Sequence, residues 1–109
     1  MAVLAQIVDD VVVNRFDIKN KRFSLGRHHK NDIQIDEQAV SSRHALIYVE
    51  ANSHFPQFSE YFLEDLDSTN GTRINGYQLE TGSIYRLRDG DELEFGRLRV
   101  VLRFVRPSN

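Results

Sequence analysis

The chain has 109 residues, no cysteine, and a net charge of −2 from 14 cations against 16 acids. Such a length predicts one domain, able to bury about two-thirds of its unfolded surface without covalent staples. The lack of cysteine excludes disulfides and thiolate zinc sites, the charge balance argues against broad nucleic-acid binding, and no stretch approaches the ~20 apolar residues of a membrane span.

The chain opens on Val3–Val8, an apolar run with no positive segment before it and closed by Asp9-Asp10, so a secretory leader is not expected there. A cytoplasmic protein is therefore expected, and Met1 is read as the start of a stand-alone one. Val11–Ile18 follows with apolar residues at 11, 12, 13, 16 and 18. This imperfect alternation predicts a strand with one wet face. Lys19-Asn20-Lys21 turns the chain into Arg22–Leu25, and Ile33–Ile35 and Ala45–Val49 come next.

Glu50 to Glu60 is the longest loop, broken by Pro56. Its Phe55 and Phe58 are expected to fold back over the core; exposed, they would form a candidate protein contact. Tyr61–Glu64, Thr72–Ile74, Ser83–Arg86, Glu92–Phe95 and Leu98–Val105 complete the candidate strands, with Arg99 and Arg103 pointing outward from the last. Asn75-Gly76, Asp89-Gly90 and Gly96 separate them, and Asn-Gly and Asp-Gly supply the positive backbone angles that tight turns require. Pro107-Ser108-Asn109 reads as a loose tail. Many short strands at this spacing, without a sustained helical period, predict an all-β sandwich or barrel.

Three polar segments interrupt these strands: Ser24-Leu25-Gly26-Arg27, Ser41-Ser42-Arg43-His44 and Asp67-Ser68-Thr69-Asn70-Gly71-Thr72. Together they have the chemistry of an anion receptor. Gly26 permits a tight turn. The planar fork of Arg27 suits two phosphate oxygens at once. Ser41 and Ser42 offer hydroxyl donors, and the Asn70 amide both donates and accepts, so it can grip a peptide backbone. Residues 19–30 hold Lys19, Lys21, Arg22, Arg27 and Lys30 without an acid, a local field that attracts an anion, or else a solvated hairpin edge.

Two other readings are weaker. Ser41, His44 and an Asp suggest a hydrolase, but no Gly-x-Ser-x-Gly elbow is present. His28-His29 with His44 and His54 suggests a metal site, but adjacent side chains on an extended segment point oppositely and chelate poorly. Neither an enzyme nor a metal or cofactor site is expected.

Taken in order, Gly26-Arg27, Asn31-Asp32-Ile33, Val40-Ser41-x-x-His44-Ala45, Asp67-Ser68-Thr69-Asn70-Gly71-Thr72-x-Ile74-Asn75-Gly76 and Asp89-Gly90-Asp91-x-Leu93-x-Phe95-Gly96 resemble a forkhead-associated (FHA) domain. The resemblance runs from about residue 22 to 105, within a single domain spanning 1–109. It implies an antiparallel β-sandwich of about eleven strands, with the termini at one end and ligand loops at the other. It also implies a phosphothreonine-dependent protein-binding module, a small signalling adaptor whose partner is a phosphothreonine-containing protein.

On that resemblance Arg27 and Ser41 hold the phosphate, and Asn70 holds the peptide backbone with Thr69 beside the phosphothreonine. Ser42 stands where many members carry Arg, Lys or Asn, so its contact is expected to be weaker or water-mediated. Gly26, His44 and Gly71 support the site. Ala39, Arg73 and Asn75 are the selectivity candidates; Ala39 offers no cation, and Arg73 is either the cation that reads an acidic ligand residue or an outward strand Arg. The alternative is a phosphate-independent interaction or scaffold domain that uses another face of the same fold, for which the Phe55–Phe58 loop is the candidate surface. A second partner through such a face is compatible with either reading.

Overall fold

The computed structural model describes residues 2–96 and 101–106. Eleven strands occur among them: β1 Val3–Val8, β2 Val11–Asp17, β3 Arg22–Gly26, β4 Ile33–Gln34, β5 Ala45–Ala51, β6 Ser59–Asp65, β7 Thr72–Ile74, β8 Tyr77–Gln78, β9 Ile84–Arg86, β10 Glu92–Phe95 and β11 Val101–Val105. They form two sheets, ordered β2-β1-β11-β10-β7-β8 and β4-β3-β5-β6-β9. No described residue is helical. The outer part of the last predicted strand, including Arg99, and the Pro107-Ser108-Asn109 tail lie outside the described residues.

The period of two explains the packing. In β6 the inward positions are Tyr61, Leu63 and Asp65; in β5 they include Ala45 and Ile47. Leu93 and Phe95 of β10 and Leu102 and Phe104 of β11 meet them from the other sheet, with Leu4, Phe23 and Leu25 completing the core. Burying each such Leu or Phe contributes about 1.5–3 kcal/mol. β1 pairs with β11 through Val3 and Val105, so both ends of the described chain lie at one pole. The loops after β3, before β5 and before β7 lie at the other.

Four local expectations are corrected. β2 lies at a sheet edge, and Val11, Val12 and Val13 are all exposed rather than alternating. Its register shifts between Gln6–Asn14 and Ile7–Val12, which leaves Val13 as a bulge; this bulge is the source of the broken alternation. β8 is an additional strand. Asn75 (φ 52°) and Gly76 (φ 84°) make a two-residue turn that folds Tyr77 back on Ile74, too short a strand to show a pattern.

The sandwich is also not wholly antiparallel. β3 and β4 run parallel, Leu25 beside Ile33, with the intervening residues 27–32 thrown outward as a loop. Asp32 closes that loop by accepting hydrogen bonds from the Ser24 backbone N–H at 2.7 Å and the Ser24 hydroxyl at 3.2 Å. Finally, Phe55 and Phe58 do not fold back. They are 57% and 43% exposed and pack edge-to-face on each other. Asn52 Oδ1 accepts from the N–H groups of His54 and Phe55, and the Asn52 N–H donates to the Phe58 carbonyl, so the loop satisfies itself without the core. Arg103 is half-buried and ion-paired with Glu92 at 2.9 Å.

Candidate functional site

The site begins where β3 meets the segment before β5. The Arg27 N–H donates to the Ser41 carbonyl at 2.9 Å, and the His28 N–H donates to the Ser42 carbonyl at 3.2 Å. Asn31 Nδ2 reaches the same Ser42 carbonyl at 2.7 Å and the His28 carbonyl at 2.8 Å. This close approach requires Gly26. A Cβ there would fall on the Ser42 carbonyl oxygen and within 2.8 Å of the Asn31 amide. Backbone bonding thus fixes the root of Arg27, whose side chain is exposed.

The loop before β7 docks on the same segment. The Ser41 hydroxyl oxygen accepts from the Thr69 N–H at 3.0 Å. Its own proton then points elsewhere, available to a ligand oxygen. Asn70 Nδ2 donates to the Ala39 carbonyl at 2.9 Å, which orients the amide while leaving its second N–H and its carbonyl oxygen with further capacity. Arg27, Ser41, Thr69 and Asn70 are therefore brought together by direct bonds between three loops. Ser42 is exposed beside them.

His44 is fully buried and joins the two loops. Its Nδ1 accepts from the Ser41 N–H at 3.0 Å, and its Nε2 lies 2.8 Å from the Gly71 carbonyl. These partners assign a neutral ring protonated on Nε2. The ring also packs edge-on against Phe95. Burial holds its pKa below the usual histidine value, outweighing the opposing Gly71 hydrogen bond and the Asp65 charge. The unfolded state then binds the proton more readily than the native state, so stability is full above about pH 6.5 and falls as pH drops through and below that value. Denaturant titrations across this range are expected to show that fall, with part of its slope removed in His44→Gln.

Ser41 and His44 do not form a nucleophile–base pair. His44 bonds the Ser41 backbone N–H, while the Ser41 hydroxyl bonds Thr69, and Nε2 is 3.9 Å from Asp65 Oδ1, beyond a hydrogen bond. Asp65 instead organises the loop before β7. Its Oδ1 accepts from the hydroxyls of Ser68 at 2.5 Å and Thr72 at 2.8 Å, and its Oδ2 accepts from the Ser68 N–H at 3.1 Å. The Ser68 hydroxyl in turn accepts from the Gly71 N–H. Gly71 (φ 83°) lies under the Gln78 side chain, where any Cβ would collide.

Sequence reasoning passed over Asp65, Ser68 and Asn31 as supports. One signal was present: Asp65 occupies an inward position in the alternation Tyr61-x-Leu63-x-Asp65, and a buried acid demands partners. Of the selectivity candidates, Ala39 contributes its carbonyl to Asn70, and Arg73 is exposed on β7. Asn75 is not at the ligand loops. It lies at the opposite end of β7, where Nδ2 donates to Asp91 Oδ1 and Oδ1 accepts from the Glu92 N–H, both at 2.9 Å. The expectation that His28 and His29 point oppositely also fails. Asn31 N–H bonds the His28 carbonyl and Lys30 N–H bonds His28 Nδ1, so the segment turns and the two rings stack at 4.4 Å. Among the described residues no cluster has the make-up of a metal site.

Known proteins resemble this chain in sequence and fold. The FHA domain family model matches residues 23–96. The glycogen accumulation regulator GarA of Mycobacterium tuberculosis is 34% identical over 88 residues, which cover 81% of this chain and 48% of that protein. This chain thus spans about half the length of that relative. EmbR of Mycobacterium tuberculosis, solved in complex with a low-affinity phosphopeptide, is 26% identical with a TM-score of 0.76 over 95% of this chain and 24% of that one. The MEK1 FHA domain superposes with a TM-score of 0.83 at 22% identity, over 95% of this chain and 88% of that one. With its family model matched across all three loop segments and its fold shared, the chain belongs to the FHA domain family.

Proposed function

We propose that the chain is a phosphothreonine-dependent protein-binding module that acts as a signalling adaptor. The observation that carries this reading is the position of Ser41. Its backbone carbonyl holds Arg27, and its hydroxyl oxygen is held by Thr69, so its free proton and the Arg27 fork serve one anion. Phosphothreonine brings about −1.5 to −2 charge and three acceptor oxygens to such a site. The phosphopeptide complex of EmbR supports the same ligand class.

In this reading Arg27 and Ser41 hold the phosphate, with Ser42 at its edge. Thr69 lies beside the phosphothreonine, and Asn70 uses its remaining amide groups on the peptide backbone. Arg73 is the cation for a downstream acidic residue. Residues 1–109 act as one such module, and no catalytic role is assigned. The cytoplasm is the proposed compartment, since a chain without cysteine suits reducing conditions. No helix among the described residues is long and apolar enough to cross a membrane. The exposed Phe55–Phe58 pair, at the pole away from the ligand loops, is where a second protein partner fits an adaptor role.

Fluorescence anisotropy with matched phosphothreonine, phosphoserine and unmodified peptide libraries tests the proposal. Phosphothreonine peptides are expected to bind, and phosphoserine peptides to bind roughly ten- to two-hundredfold more weakly if a pocket encloses the γ-methyl. Equal binding of all three libraries would refute phospho-dependence and favour a phosphate-independent module.

A further inference from the structure

The pole away from the ligand loops carries a groove between residues 18–22 and the Val49–Ala51 end of β5, floored by Tyr61. We infer that this groove takes an extended, acidic segment of a second protein, which adds as a short strand beside Ala51. The inference rests on the adaptor role proposed above and gives the chemistry of its second partner.

The free backbone edge is the first argument. β3 pairs with β5 only as far as Arg22–Tyr48, with one further bond from the Val49 N–H to the Lys21 carbonyl at 2.8 Å, whereas β6 follows β5 out to Ala51. Alternate residues of an antiparallel strand bond to alternate sides. Ala51 therefore turns its N–H and C=O to the same side as Val49, and no strand lies opposite it there among the described residues. Ala51 is exposed. A partner strand that continues the line of β3 pairs at this edge without displacing anything. Because β3 is antiparallel to β5, the added segment runs from the Phe55–Phe58 loop towards Lys21.

Charge is the second argument. Lys19, Lys21 and Arg22 form one wall, all three are exposed, and none forms an ion pair with an acid among the described residues. The Arg22 guanidinium lies 5.8 Å over the Tyr48 ring, which holds it at the groove. Glu50 is the sole acid in the lining. The aromatic pair is the third argument. The Phe58 N–H donates to the Phe55 carbonyl at 2.9 Å and Asn52 caps the turn, so both rings are held out in advance, which lowers the ordering cost of binding. Lys21 is level with Val49, and Asn52 lies about 10 Å further along β5 at the usual strand rise. A carboxylate on the Lys19–Arg22 wall and an apolar side chain on the Phe pair are then about three to five extended residues apart. A bilayer fits less well: a flat surface cannot enter a groove between two loops, and Glu50 would face its anionic headgroups.

The test uses short unphosphorylated peptides with one Trp and a pair of Glu, about two to six residues apart and in either order, titrated against the whole chain by anisotropy at low salt. Trp placed N-terminal to the Glu pair at about three to five residues is expected to bind at least tenfold more tightly than the same peptide with Gln for Glu, or with the order reversed. Lys19→Ala/Lys21→Ala is expected to remove the advantage of Glu over Gln, and Phe55→Ser/Phe58→Ser that of Trp over Ala. All four residues are exposed, and thermal melts check that the fold is kept. N-methylation at successive positions between Trp and Glu is expected to weaken binding at alternate residues only, as a strand ladder requires. Phosphothreonine-peptide affinity is expected to stay within about twofold of wild type in both variants, since the two sites lie at opposite poles. Binding indifferent to Glu→Gln, to order or to N-methylation would overturn the inference, and so would no binding by any peptide of the set. Capture by phosphatidylserine/phosphatidylcholine vesicles in place of peptide, or a dimer lost in Phe55→Ser/Phe58→Ser, would give the surface to lipid or to a second copy and overturn it as well. A wild-type chain that binds the acidic peptide but no phosphothreonine peptide would refute the phosphothreonine reading alone.

Discussion

Arg27→Ala is expected to weaken phosphothreonine-peptide binding by at least roughly tenfold, and by about a hundredfold or more if both guanidinium branches engage. A hydrogen bond to a charged group is worth about 1.5–3 kcal/mol, and each 1.4 kcal/mol is a factor of ten. The fold is expected to keep its stability. Arg27 supports the structure through its backbone, with N–H donating to Ser41 and its carbonyl accepting from Gln34, and alanine retains both bonds. Arg27→Lys keeps the charge but loses the planar fork, so an intermediate affinity with a similar salt dependence is expected. Anisotropy titrations paired with thermal melts read the two effects separately. Unchanged affinity in Arg27→Ala would remove the phosphate from this site.

Asp65→Ala is expected to give the largest loss of stability, about 2–4 kcal/mol, because each buried donor left without a partner costs about 1–3 kcal/mol. The Ser68 hydroxyl, the Ser68 N–H and the Thr72 hydroxyl all end on this carboxylate, and Asp65 is only 2% exposed. For a domain of this size each kcal/mol lowers the melting temperature by roughly 4–8 °C. Asp65→Asn is not a rescue, since its NH2 would face a hydroxyl or amide donor. Thr72→Val removes one of the three bonds with little change of shape, and about 1 kcal/mol is expected. Thermal and urea denaturation of the three variants checks the order. Equal stability of wild type and Asp65→Ala would mean that the loop before β7 is held by its backbone alone. In the folded fraction of Asp65→Ala, peptide affinity is expected to fall as well. Ser68 then no longer holds the Gly71 N–H in place, and Asn70 precedes Gly71.

In the proposed function, phospho-recognition and fold stability therefore meet in one place. Of the residues that touch the ligand in the proposed function, Arg27, Ser42, Thr69 and Asn70 are exposed and Ser41 is half-buried. The residues that aim them, His44, Asp65 and Gly26, are buried. Gly26 allows the Ser42 carbonyl to approach, His44 ties Ser41 to Gly71, and Asp65 gathers the turn that presents Asn70.

Alternation of apolar residues and the turn chemistry of Asn75-Gly76 and Asp89-Gly90 determined an all-β fold, sandwich or barrel, because both act over a few neighbouring residues. The ordered motifs around Gly26-Arg27, Ser41 and Asn70 determined the family for the same reason: each is local and quoted directly by the chain. Only the tertiary structure decided how those motifs meet. Thr69 reaches Ser41 across 28 residues, Asn70 reaches Ala39 across 31, and His44 reaches Gly71 across 27. No local periodicity encodes such bonds; they exist because strand pairing carries the loops to one pole. The same is true of the parallel β3–β4 pair, the bulge at Val13, the removal of Asn75 from the ligand end and the outward Phe55–Phe58 pair. Each depends on which neighbour satisfies a backbone group or covers an apolar face, and that is decided only when the two sheets close.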